Sequence, residues 1–107
     1  MNSPVHDEID RAVKQNPVML YMKGSPAFPQ CGFSAAVVSI LNALEVNYES
    51  VDVLSNPAIR RGIKDYAHWP TIPQLYVNGE FIGGCDILRE MYESGELETS
   101  LREAGVL

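Results

Sequence analysis

The chain has 107 residues, of which 46% are hydrophobic, and its formal net charge at pH 7 is -6. This length predicts one domain over residues 1–107 that folds without disulfides, and two cysteines are too few for a secreted disulfide scaffold. The acidic balance argues against nonspecific nucleic-acid binding, and no apolar run approaches the roughly 20 residues of a membrane span. We therefore expect a cytoplasmic protein with no nucleic-acid or membrane partner.

The first half of the chain predicts two helices and one strand. Ser3 and Pro4 are residue types typical of a helix start, and the helical spacing that follows ends near residues 16–17. Residues 18–22 form a continuous apolar run, which indicates a strand covered on both faces. A loop rich in Gly, Pro and Ser spans 24–30. The apolar positions predicted for the helix after Cys31 are Phe33, Ala36, Val37, Ile40, Leu41 and Leu44.

The second half predicts a strand, two helices, a hairpin and a helical tail. Residues 48–53 suggest a strand, and Asn56-Pro57 begins a helix. Asn78-Gly79 between two short apolar segments is the strongest two-residue hairpin signal. A helix over 86–94 ends at Gly95, and residues 97–104 add a further turn or helix. A crossover helix makes the first two strands parallel, whereas the hairpin strands are antiparallel. We expect an α/β fold with a small mixed sheet between helices.

Cys31 lies where a loop meets the predicted start of a helix. Unpaired N–H groups and the helix dipole favour an anion there, and cysteines in such places have pKa values of roughly 3.5–7.5 when cations are near. Lys23, at the other end of the loop, is a candidate cation. Cys31 is therefore a candidate nucleophile or metal ligand, the alternative being a small buried hydrophobe.

Three segments together resemble the monothiol glutaredoxin family. They are the CGFS sequence at 31–34, the WPTIPQ sequence at 69–74 and the GGCD sequence at 83–86. The first of them also includes the residues at 23–26 and 29–30 that precede CGFS. They occur in the family's order, and the resemblance spans nearly the whole chain. It implies a thioredoxin-like fold in which Pro73 is cis, and a protein that binds glutathione.

Glutathione carries two carboxylates and one amine, so its site needs cations at one end and an acid or a helix start at the other. By position against the family pattern, Lys23 and Arg60 are the cations, although Arg60 could belong to a solvated helix face. The resemblance implies that the main chain of Ile72 pairs with the peptide, and that Asp86 and the N–H groups of Cys85 and Asp86 receive the γ-glutamyl end. Trp69 is interpreted as a packing residue.

Position 34, where a dithiol oxidoreductase needs its second cysteine, is a serine, so Cys31 must exchange with a glutathione thiol instead. The primary hypothesis is a labile [2Fe–2S] cluster, because its irons take four thiolates. Cys31 and one glutathione from each of two chains supply four, which makes the cluster-bound form a homodimer. The resemblance implies transfer to apo iron–sulfur acceptor proteins and partnership with BolA-like proteins.

Two further functions remain open for the same site. One is a glutathione-dependent oxidoreductase that uses Cys31 alone; we expect it to be weak, because the loop of 24–30 moves Lys23 away from the thiol. The other is an adaptor that senses iron or redox state without catalysis. Cys85 is either a structural thiol beside the glutathione site or a disulfide partner of Cys31 under oxidation.

Overall fold

The computed structural model describes residues 3–107. In chain order the elements are α1 (Pro4–Gln15), β1 (Val18–Met22), α2 (Gly32–Ala43), β2 (Glu49–Asp52), a 3-10 turn (Val53–Ser55), α3 (Pro57–Ala67), β3 (Gln74–Val77), β4 (Glu80–Gly83), α4 (Cys85–Ser94) and α5 (Glu96–Glu103). Within the described residues, every helix falls short of the length and apolar character needed to cross a bilayer.

The four strands form one mixed sheet in the order β2-β1-β3-β4. β1 is parallel to β2, whereas β3 is antiparallel to both β1 and β4. Asn78 and Gly79 join β3 to β4 with positive φ angles of 51° and 85°, as a two-residue hairpin requires. The predicted strand directions and the hairpin are confirmed.

Helices cover the sheet on both faces, and the residues of β1 alternate between them. Leu20 and Met22 pack in the core on the face of α2, α4 and α5. Met19 and Tyr21 pack in a second core with residues of α1 and α3. All five residues of β1 are buried, which confirms the prediction that this strand is covered on both sides.

Three predicted details differ from the structure. The strand predicted over 48–53 spans only Glu49–Asp52, because the Asp52 carboxylate accepts a hydrogen bond from the Leu54 N–H and begins the 3-10 turn. Helix α4 begins at Cys85, one residue early. The pattern predicts Phe33 on the buried face of its helix, but the side chain is 60% exposed because the first turn of α2 borders an open cleft.

Candidate functional site

Cys31 is the N-cap residue of α2. Its backbone is extended, with φ -157° and ψ 135°, and its carbonyl accepts the Ala35 N–H at 2.9 Å as the first hydrogen bond of the helix. The residue is half-buried, so its thiol is open to a partner. This placement confirms that Cys31 stands at a helix start.

The surroundings of Cys31 lower its thiol pKa. The main-chain N–H of Ser34 is the largest cause, and the Phe33 N–H, the Lys23 charge and the Ser34 hydroxyl act in the same direction, whereas partial burial opposes them. The Cys31 side chain makes no capping hydrogen bond to the first turn of α2. These N–H groups are therefore free to stabilise the thiolate, which is the form that attacks disulfides and binds metals.

The loop between Lys23 and Cys31 is held in place by hydrogen bonds. The Gln30 N–H donates to the Lys23 carbonyl at 2.9 Å, which closes the two ends of the loop on each other. The Lys23 N–H donates to the Ser34 hydroxyl at 3.1 Å, and the Gly24 N–H donates to the Asp52 carboxylate at 2.9 Å. The long loop therefore keeps the main chain of Lys23 beside the start of α2.

A cleft of about 300 Å³ opens next to this helix start. Its walls come from the first turns of α2 and α4 and from the segment that precedes β3. The lining residues are Phe33, Trp69, Thr71, Ile72, Pro73, Gly84, Cys85, Asp86 and Ile87. The volume lies at the lower end of the range of small-molecule sites, which is about 300–1,000 Å³.

Three of the predicted site residues line this cleft together. Ile72 is buried, and its peptide bond to Pro73 is cis, as the family resemblance implied. Cys85 and Asp86 form the start of α4, where main-chain N–H groups are unpaired. Burial raises the pKa of the Cys85 thiol, the Arg89 charge opposes the rise, and the charges of Asp86 and Cys31 add to it.

The other three predicted residues do not line the cleft. Cys31 lies beside it, two positions before the lining residue Phe33, and the main chain of Lys23 is hydrogen-bonded to Ser34 in the same turn of α2. Cys31 is also close enough to Cys85 for their charges to interact. Arg60 is a half-buried residue of α3. Both cysteines are free thiols. Among residues 3–107, no three His, Cys, Asp or Glu side chains gather as a metal site.

Sequence reasoning missed four lining residues, which are Phe33, Trp69, Thr71 and Ile87. Trp69 does pack as predicted, with its ring centroid 5.5 Å from that of Phe81, but it also walls the cleft. A Cβ added to Gly84 would lie only 3.1 Å from Trp69 Nε1, so the glycine lets the indole approach α4. The motifs were the available signal, because Phe33, Trp69 and Thr71 lie within them and Ile87 directly follows the GGCD sequence.

Comparison with known proteins identifies the family. A sequence model described as Glutaredoxin matches residues 18–82. A monothiol glutaredoxin of Synechocystis, named "ycf64-like", is 54% identical over 97% of this chain and 97% of its own length. Glutaredoxin 4 of Escherichia coli K12 is 52% identical over 91% of this chain and 84% of its own length.

Solved structures show the same relationship. A truncated monomeric mutant of Trypanosoma brucei 1-C-Grx1 superposes with a TM-score of 0.88, at 40% identity over 99% of this chain and 96% of that one. Reduced apo GrxS14 of poplar superposes with a TM-score of 0.80, at 51% identity over 92% and 90% of the two chains. The fold is thioredoxin-like, and the chain belongs to the monothiol glutaredoxin family.

Proposed function

We propose that this protein binds glutathione in the cleft and, as a homodimer, carries a labile [2Fe–2S] cluster to apo iron–sulfur proteins in the cytoplasm. One observation carries the proposal. Cys31 is a half-exposed thiol of lowered pKa at a helix start, and the residue three positions on is a buried serine rather than a second cysteine. A single activated thiol cannot form the usual internal disulfide, but it can supply one of four ligands to a cluster.

The difference between the two cysteines supports Cys31 as the proposed iron ligand. Iron–sulfur clusters bind thiolates, and the main-chain N–H groups around Cys31 favour that form. Cys85 is buried, and its raised pKa favours the neutral thiol. One chain therefore offers one suitable thiolate. Two chains with two glutathione thiolates make four, which is the physical reason for a glutathione-dependent homodimer.

The cleft suits the glutathione that this arrangement needs. A buckwheat glutaredoxin of the same fold, with a TM-score of 0.84 and 24% identity, is solved as a glutathione complex. In our proposal the main chain of Ile72 pairs with the peptide, and the start of α4 binds the γ-glutamyl end. There Asp86 faces the amine, while the unpaired N–H groups of Cys85 and Asp86 receive the carboxylate.

Lys23 and Arg60 are proposed as the cations for the glycine carboxylate, although neither lines the cleft. A matched pair of variants tests Arg60, because Arg61 is the next residue of α3 and is exposed. We expect Arg60→Gln to weaken glutathione binding by about three- to fivefold, the size of one partly solvated charge pair. Arg61→Gln should bind as the wild type does. Equal affinities for both variants would remove Arg60 from the site.

Anaerobic reconstitution with iron and sulfide tests the cluster. Absorption, visible circular dichroism and size-exclusion mass would be recorded with and without glutathione, for the wild type and for Cys31→Ser. We expect a [2Fe–2S] spectrum in a dimer that requires both glutathione and Cys31. A cluster retained in full by Cys31→Ser would refute the proposal. Mixing the holo form with an apo ferredoxin and with a BolA-like protein would then test transfer and partnership.

The second candidate function is a glutathione-dependent oxidoreductase that uses Cys31 alone, and the lowered pKa of Cys31 favours it. We rank it below cluster transfer because exchange through Cys31 alone needs a second glutathione, which we expect the loop of residues 24–30 to misplace. Rapid turnover of a glutathionylated peptide by the wild type, with no cluster after reconstitution, would reverse this ranking. A sensing adaptor shares the cluster and differs in forming a stable complex without transferring it.

A further inference from the structure

Gln74 is a buried polar side chain directly behind the cleft. It follows Pro73 as the first residue of β3, and its exposed fraction is 0%. Its amide nitrogen donates to the carbonyls of Trp69 and Thr71, each at 3.2 Å. Its amide oxygen accepts the Tyr76 hydroxyl at 2.8 Å. Both N–H donors and the oxygen of this amide are therefore used.

The two carbonyls belong to the segment of residues 69–73, which forms one wall of the cleft. This segment contains two prolines, which have no N–H to donate, and it lies outside every helix and strand. Within residues 3–107, the Trp69 N–H donates to the Lys64 carbonyl, and residues 70–73 make no main-chain hydrogen bond to other main chain. The side chain of Gln74 is therefore the anchor of this wall.

The two carbonyls fix the orientation of that amide, because a turned-over amide would place its oxygen against two carbonyl oxygens. The Tyr76 hydroxyl donates to the amide oxygen and so holds the other end of the amide in position. The Tyr76 ring is itself held between Tyr21, with centroids 5.8 Å apart, and Phe81, with centroids 5.5 Å apart. The anchor is thus built on the packed core of the sheet.

We propose that Gln74 is a positioning residue for glutathione. It holds the carbonyls of Trp69 and Thr71 inward, so that the main chain of Ile72, which lies between Thr71 and Pro73, stays free to pair with the peptide. Tyr76 supports this role by holding the oxygen end of the Gln74 amide in position. The inference rests on the proposed glutathione site. The order of residues 69–73, in contrast, can be measured in the protein without glutathione.

The first test measures order without ligand. Gln74→Met keeps the length of the side chain and removes both donors. Backbone ¹⁵N relaxation of reduced, ligand-free protein should give order parameters of about 0.85 at Thr71 and Ile72 in the wild type, and near 0.6 in Gln74→Met. Leu101→Ala, which truncates a buried residue of α5, is the control for lost stability and should leave both values unchanged.

The second test measures glutathione affinity by titration of the fluorescence of Trp69, the one tryptophan of the chain. We expect Gln74→Met to bind about five- to tenfold more weakly, Tyr76→Phe to lose less, and Leu101→Ala to match the wild type. Gln74→Glu adds a pH profile. A protonated carboxyl can donate to one carbonyl, whereas an ionised carboxylate can donate to neither. The glutathione affinity of Gln74→Glu, relative to that of the wild type, should therefore fall as pH rises from 5 to 7.5.

The outcomes separate the two proposals. If the wild type binds no glutathione, the proposed function fails, and the relaxation data still decide whether Gln74 orders residues 71 and 72. If Gln74→Met is less stable but keeps wild-type order parameters and wild-type affinity, Gln74 is only a satisfied core residue and the positioning role is refuted. A Gln74→Glu profile parallel to that of the wild type would contradict the role of the amide donors.

Discussion

The hydroxyl oxygen of Ser34 accepts a hydrogen bond from the main-chain N–H of Lys23 at 3.1 Å. This contact joins the end of β1 to the first turn of α2, and Ser34 is fully buried. The same hydroxyl is one of the groups that lower the pKa of Cys31. The residue that replaces a second cysteine thus holds the candidate cation in place and stabilises the remaining thiolate.

Ser34→Ala should raise the pKa of Cys31. The rise should be modest, because the Ser34 N–H, which is the largest cause, remains, together with the Phe33 N–H and the Lys23 charge. The pH dependence of alkylation by iodoacetamide measures the pKa, with peptide mapping to separate Cys31 from Cys85. Ser39→Ala, on the exposed face of α2, is the control. A midpoint for Ser34→Ala that equals the control would contradict this role for the hydroxyl.

Gly24→Ala should destabilise the protein strongly. Gly24 has φ +86°, and an added Cβ would lie 2.5 Å from the Phe28 carbonyl oxygen and 2.7 Å from the Gln30 nitrogen, both of them backbone atoms. We expect a loss of about 3 kcal/mol in the free energy of unfolding, from backbone strain and overpacking together. Urea denaturation measures the loss.

Gly105→Ala separates these two contributions. Gly105 has a similar φ of +77° with no atom within 4 Å of an added Cβ. Its substitution should cost about 1 kcal/mol from the left-handed backbone alone. Equal losses for Gly24→Ala and Gly105→Ala would mean that the loop of residues 24–30 moves aside without cost.

Asp52→Ala should loosen the loop of residues 24–30. One carboxylate oxygen of Asp52 accepts the N–H groups of Gly24 and Leu54, each at 2.9 Å. Asp52→Asn keeps an acceptor oxygen and should change little, whereas Asp52→Ala should lose about 2 kcal/mol, because two donors lose their partner. Phe28, which is 74% exposed in this loop, provides a second readout. The backbone ¹⁵N order parameter of Phe28 should be lower in the Ala variant than in the Asn variant.

Tyr66→Phe should raise the pKa of Asp10. The Tyr66 hydroxyl donates to Asp10 Oδ1 at 2.7 Å and is the largest cause that lowers this pKa below the usual 3.8, followed by the hydrogen bond from Lys14. A carboxyl whose pKa is lower in the folded state stabilises the fold above its unfolded pKa, and this stability is lost as pH falls through the folded pKa. Tyr66→Phe should therefore destabilise the protein more at pH 7 than at pH 3.

Carboxyl ¹³C chemical shifts measure the Asp10 pKa, and urea denaturation at pH 7 and pH 3 measures the linked stability. Lys14→Gln should raise the same pKa by a smaller amount, because its hydrogen bond ranks second among the causes. A larger shift for Lys14→Gln than for Tyr66→Phe would mean that the ion pair, rather than the phenol, controls the ionisation of Asp10.

Most elements of the fold follow from local sequence patterns. Proline after a capping residue begins α1 and α3, Asn78-Gly79 makes the hairpin, and the apolar run of β1 indicates a strand buried on both faces. The position of Cys31 at a helix start could also be read directly. These features depend on residues within a few positions of one another, so periodicity and turn chemistry are sufficient to predict them.

The sequence by itself also determined that Cys31 has no second cysteine three positions on, because Ser34 occupies that position. Only the tertiary structure decided that Phe33 borders a cleft, that Asp52 holds an N–H 28 positions away, and that the Gln74 amide anchors the wall of residues 69–73. A buried hydrogen bond needs its donor and acceptor at a set distance and angle. That geometry arises only when the helices pack on the sheet, so the pattern of residues along the chain does not contain it.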